Sequence, residues 1–199
     1  MISVRINQLI EEVEGIAEIR SPYRCFSIHP DSEDYVTATR DVLYEWIIHN
    51  NTLPVKLTFA FYEDLEKQYS EWFQKRNISY KLFHSVIDEK KGKTIYRSPL
   101  IEATIVNAQD FLSVLHFTFW LPMQNEFFVL TLNGNVLFEE RSPYSNSKRK
   151  LIVPILDMLP NSTYITIAHD AQGIFLLSNH ESFQSTTAIK NSLPPWYSG

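Results

Sequence analysis

FFVLTLNGNVLFEE, residues 127–140, is the stretch on which the reading of the fold turns. Asn133-Gly134 readily supplies the positive φ angles of a two-residue turn, and the runs 127–132 and 135–140 flank it as the two arms. The segment predicts an antiparallel hairpin. Further on, 164–169 and 173–177 predict a second hairpin turning at 170–172, with Pro154 starting a short helix over 155–159 between the two. The tail reads as a short helix after Glu181 and then an extended Leu193-Pro194-Pro195-Trp196.

Working back from the hairpin, Leu115, Phe117, Phe119 and Leu121 alternate with His116, Thr118 and Trp120 as a strand would. A helix running through them from Ala108, capped near Asn107, is the competing reading, and Pro122 ends either. Short β-rich runs at 94–97 and 101–106 precede it, after the basic turn at Lys90, Lys91 and Lys93.

The first half has another texture. Ile2, Ile6, Leu9, Ile10 and Val13 fall at helical spacing with Gly15 as a stop, so an amphipathic helix opens the chain. A strand follows at 23–28. Asp31 or Ser32 then caps a helix that carries Glu33 and Asp34 in its first turn, where the helix dipole favours them, and Val36, Leu43 and Ile47 on its apolar edge. Val55, Leu57, Phe59 and Phe61 alternate with Lys56, Thr58 and Ala60 as a half-buried strand. A helix over 63–76 buries Leu65, Tyr69, Trp72 and Phe73, and a strand spans 78–87. Alternating elements predict helices covering a partly parallel sheet. The expectation is an α+β fold: a mixed sheet, βαβαβ-like in its N-terminal half, antiparallel hairpins in its C-terminal half. The chain reads as one domain over 1–199, with 88–94 as the alternative boundary.

Composition narrows the function. The 199 residues are 44% apolar and 21% charged, enough apolar surface for a substantial core and too little charge for a disordered chain. Cys25 is the only cysteine, which excludes an internal disulfide and suits a reducing, cytoplasmic setting. The N-terminal residues lack the charged start and apolar centre of a signal peptide, and no run approaches the roughly 18 apolar residues of a membrane span. The net charge of -5 is concentrated in residues 1–50, where nine acids face Arg5, Arg20, Arg24 and Arg40. Such a field repels nucleic acid and favours a basic partner if the carboxylates share a face.

Five glycines, none close to another, leave no phosphate-cradling loop and no dinucleotide fingerprint. Neither a Gly-x-Ser-x-Gly elbow nor a His-Glu-x-x-His helix occurs, and no cofactor is implied. Cys25 and His29 share a strand face about 13 Å apart, too far for a thiolate pair on a straight strand. His29, Asp31, His169 and Asp170 would make a metal site if the strands ending in His29 and His169 were neighbours. Arg141, Lys148, Arg149 and Lys150 around Tyr144 form the best nucleic-acid candidate, opposed by the overall acidity.

The absence of catalytic signatures, the one-sided charge and an aromatic surplus point to a non-enzymatic protein-binding module. A small acidic chain without motifs resembles, as a class, bacterial inhibitor, immunity and regulatory proteins. The candidate contact residues are Glu11, Glu12, Asp31, Glu33, Asp34, Trp196 and Tyr197. The alternative is a metal-assisted hydrolase or nuclease using His29, Asp31, His169 and Asp170.

Overall fold

A computed structural model describes residues 2–6, 12–13, 17–84, 99–141 and 151–197. The organising element is the strand β5 (Val55–Ala60), whose alternation was expected to leave one face in water. Both faces are covered: Leu57 and Phe59 are buried on one side and Thr58 and Ala60 on the other. The reason is that helices pack on one face, and a second sheet on the other face, of its eight-stranded sheet.

That sheet is built from β1 (Ile2–Ile6), β4 (Arg24–Pro30), β5, β6 (Ser79–Phe83), β7 (Leu100–Ile105), β8 (Phe128–Asn133), β11 (Thr163–Ile167) and β12 (Ile174–Ser178), in the order β1-β4-β12-β11-β8-β5-β7-β6. Every neighbouring pair is antiparallel. Consequently β4, β5 and β6 all point the same way, as strand–helix–strand connections require, yet antiparallel strands lie between them. The alternation in the sequence is real, but the parallel ladder it suggested is not formed.

Five helices accompany it among the described residues: α1 (Tyr35–His49), α2 (Glu66–Lys75), α3 (Ala108–Thr118), α4 (Trp120–Met123) and α5 (Thr186–Ser192). One face of the sheet and these helices share a core in which α1 contributes Val42, Leu43, Trp46 and Ile47, α2 Tyr69 and Phe73, and α3 Phe111, Val114 and Leu115. Phe59 sits at its centre, its ring within 5.4–6.3 Å of those of Phe61, Tyr69, Phe73 and Phe128.

The opposite face is covered by a second sheet of β2 (Glu12–Val13), β3 (Ala17–Arg20), β10 (Leu151–Asp157) and β9 (Val136–Arg141), in the order β2-β3-β10-β9. Here β3 and β10 are parallel, which makes the fold mixed. Cys25, Leu100, Phe127, Val129, Tyr164 and Leu177 of the large sheet pack on Ala17, Val136, Leu156 and Met158 of the small one. The architecture is α+β in three layers: helices, large sheet, small sheet. The large sheet draws strands from both sides of the alternative boundary at 88–94, which itself lies outside the described residues.

Several local expectations are overturned. The opening residues 2–6 form β1, because Ile2 and Val4 can also lie on one face of a strand and the edge of β4 is open to all five residues. The Asn133-Gly134 hairpin does not close. Both edges of β8 are taken, by β11 and β5, so β9 cannot pair with it and joins β10 in the other sheet. Gly134 has φ +109°, while neither Asn133 nor Asn135 has a positive φ, so the chain turns a corner between layers.

Residues 115–118 belong to α3 and 120–121 to α4, with Phe119 capping between them, the competing reading: Asn107 Oδ1 accepts the Asp110 N–H at 2.8 Å and starts the helix. Pro122 lies inside the short α4, whose first turn needs no N–H from it. Pro154 starts no helix; 151–157 are β10, and Pro154 precedes the parallel ladder to β3, which begins at Ile155. The first long helix is capped by Asp34, not by Asp31 or Ser32. Leu65 and Trp72 are only half-buried. The final segment forms a single turn at 195–197 in place of an extended tail, and the second hairpin, β11 with β12, forms as expected.

On the small sheet Arg20 and Arg141 lie between Glu18 and Glu139. Arg20 reaches Glu18 at 2.7 Å and Glu139 at 2.8 Å, and Arg141 contacts the same two carboxylates. Hydrogen bonds from Arg20 and then Arg141 hold both glutamates below their ordinary pKa. A depressed carboxylate contributes stability above the unfolded value, about 4.3, and loses it as pH falls through the lower folded value. Wild type should therefore lose more melting temperature between pH 6 and pH 3 than Glu18→Gln/Glu139→Gln, measured side by side. Equal losses would show that the network titrates without effect on folding.

Candidate functional site

The strand directions gather one set of loops at one end of the large sheet. Ile28 pairs with Ile174, Ile167 with Ile174, Val129 with Thr166, and Phe59 with Phe128. The segments 31–34, 61–65, 124–127 and 168–173 therefore share an edge. Those four segments carry Asp31, Glu33, Asp34, Glu63, Asp64, Glu126 and Asp170, and no lysine or arginine; the connection from β6 to β7 leaves the same edge, and its residues 85–98 lie outside the described residues. Seven carboxylates on neighbouring loops produce a negative field that no single pair would.

Local hydrogen bonds fix this rim. Asp34 accepts the Thr37 N–H at 3.1 Å, which lowers its pKa and keeps it charged at the helix N-terminus. The turn 169–171 has Asp170 at φ 54° and Ala171 at φ 59°, a left-handed conformation costly for a buried alanine. Asn125, itself at φ 60°, holds it: the Asp170 N–H donates to Asn125 Oδ1 at 2.9 Å, and Asn125 Nδ2 donates to Asp170 Oδ1 at 3.2 Å. His169 Nδ1 lies 3.0 Å from the other Asp170 oxygen. At Gly173 the backbone passes so close to β4 that a Cβ would stand 2.6 Å from His29 Nδ1 and 2.7 Å from the Ile28 carbonyl. Only glycine fits there, and His29 Nδ1 is seated 3.1 Å from the Gln172 carbonyl.

Large side chains break the acidic surface. Tyr35, Trp120 and Met123 are 37%, 36% and 39% exposed, and Trp120 stacks on Tyr62 with ring centroids 6.0 Å apart. Asp31 and Glu33 are exposed with no ion pair or side-chain hydrogen bond among the described residues. Their charge is directed at solvent.

The sequence candidates divide. Asp31, Glu33 and Asp34 lie on the rim, beside His29, His169 and Asp170. Strand β12 stands between β4 and β11, so His29 meets the far leg of the turn and not the strand that ends before His169. Among the described residues no group of three or more His, Cys, Asp or Glu could hold a metal ion. Glu12 belongs to the small sheet, opposite Glu18, away from the rim acids, and Glu11 lies outside the described residues. Trp196 and Tyr197 sit on α1: the Trp196 indole N–H donates to Glu45 at 2.7 Å, and burial, reinforced by Glu45, pushes the Tyr197 phenol above its ordinary range. Cys25 is buried, which pushes its thiol up to about 11, far from an activated nucleophile. Of the basic cluster, Arg141 is committed to Glu18 and Glu139, and Tyr144, Lys148, Arg149 and Lys150 lie outside the described residues.

Sequence reasoning did not single out Glu63, Asp64, Met123 and Glu126, which the fold brings to the rim. Asn125 was the available signal, since an asparagine just after a proline-bearing segment marks a turn. Among the described residues no helix is long and apolar enough to cross a membrane. Compared with protein-family models, curated proteins and solved structures, the chain matches none.

Proposed function

We propose that the chain is a non-enzymatic protein-binding module of inhibitor, immunity or regulatory type, which occupies a basic surface of its partner with the acidic rim. The observation that carries this reading is the convergence of seven carboxylates without a lysine or arginine in loops 31–34, 61–65, 124–127 and 168–173, interrupted by exposed Tyr35, Trp120 and Met123. Aromatic and methionine side chains anchor interfaces, and like charges around them steer a complementary partner.

Asp31→Lys/Glu33→Lys is the test, because among the described residues neither side chain makes a bond that supports the fold. Association with the basic partner captured at low salt should slow by about tenfold or more in stopped-flow measurements, and the difference should shrink as salt rises. Unchanged low-salt association would overturn the reading.

A further inference from the structure

We propose that the exposed face of Trp120 seats an arginine side chain from a basic segment of the protein partner. The inference rests on the acidic-rim reading and names what the rim holds. Trp120 is 36% exposed and is held flat by Tyr62, with ring planes 25° apart. Two acidic residues, Glu63 and Asp64, directly follow Tyr62 in an exposed turn. On its inner side the indole reaches the hydroxyl of Tyr69, a residue only 1% exposed; burial pushes that phenol up to about 12, partly offset by a hydrogen bond from Trp120.

The molecule already contains the completed version of this arrangement. Trp72 stacks on Phe117 at 4.3 Å with planes 7° apart, and the Arg76 guanidinium lies 4.1 Å from the centre of the Trp72 ring. Trp120 has the supporting ring, and among the described residues no cation lies over it. An arginine suits this ring better than a lysine, because its planar guanidinium stacks on an indole while its N–H groups fork toward a neighbouring carboxylate. Charge complementarity thus selects the occupant.

The test uses the full chain and a synthetic peptide of alternating arginine and serine, with citrulline in place of arginine as the neutral match. Binding is followed by the indole N–H resonance of Trp120 and by a titration at low salt. The arginine peptide should shift that resonance and the citrulline peptide should not. Affinity for the arginine peptide should fall roughly five- to tenfold in Trp120→Leu and less in Trp120→Phe, which keeps a ring. Equal affinity of wild type and Trp120→Leu, with binding lost in Asp31→Lys/Glu33→Lys, would overturn the seat and leave the rim standing. No binding to wild type would overturn both. Should Trp120→Leu fail to fold, the wild-type resonance decides, since the absence of an arginine-specific shift overturns the seat.

Discussion

Replacing Trp46 by alanine lowers the free energy of unfolding by about 3–5 kcal/mol. The indole is 1% exposed and ranks among the largest fully buried side chains. It meets the Phe183 ring edge-on at 5.7 Å, and its N–H donates to Ser192 Oγ at 3.0 Å. Beside it, Asn50 Nδ2 donates to the carbonyls of Trp46 and Ser192, each at 2.8 Å. One side chain therefore joins the first long helix to the last, across most of the chain. Alanine leaves a cavity the size of an indole and removes the donor from Ser192. Phenylalanine keeps much of the volume and should cost about 1–2 kcal/mol through the lost hydrogen bond and the smaller ring. Urea denaturation of both variants checks this. An alanine cost under about 1 kcal/mol would mean that the C-terminal segment is not anchored on α1.

Gly134→Ala should cost about 2–3 kcal/mol. At φ +109° the backbone occupies a region that side-chain-bearing L-residues rarely adopt. A Cβ would also stand 2.8 Å from the Tyr164 hydroxyl and 3.1 Å from Ser162 Oγ. Tyr164 cannot simply move aside, because its hydroxyl donates toward the Asn135 carbonyl at 2.8 Å and the Asp157 carbonyl at 3.1 Å. These contacts lock the corner at which the chain leaves the large sheet for the small one. In Gly134→Ala/Tyr164→Phe the clash is partly relieved, so the double variant should lose less than the sum of the single losses. Additive costs in thermal denaturation would show that the strain is all in the backbone.

What was legible in the sequence was local. Asn107 as a cap, the strand around Phe59 and the turn between β11 and β12 depend on neighbours within a few residues, and all three are present. The rim was half legible: Asp31, Glu33 and Asp34 were picked out for their charge. Their meeting with Asp170, Glu126 and Asp64 depends on strand order, which no local pattern encodes.

The sequence by itself determined the α+β class, through long apolar alternations and helix-period runs in one chain, and it determined which residues carry the charge. The tertiary structure alone decided how ambiguous segments were used. Residues 2–6 satisfy a strand period as well as a helical one, and the free edge of β4 selects the strand. Asn133-Gly134 suits a hairpin, but a hairpin needs a vacant strand edge, and β5 and β11 occupy both edges of β8. Pro154 suits a helix start, yet the ladder to β9 holds it extended. In each case the deciding quantity is competition for backbone hydrogen bonds between segments far apart in the chain, and that competition exists only once the sheets assemble.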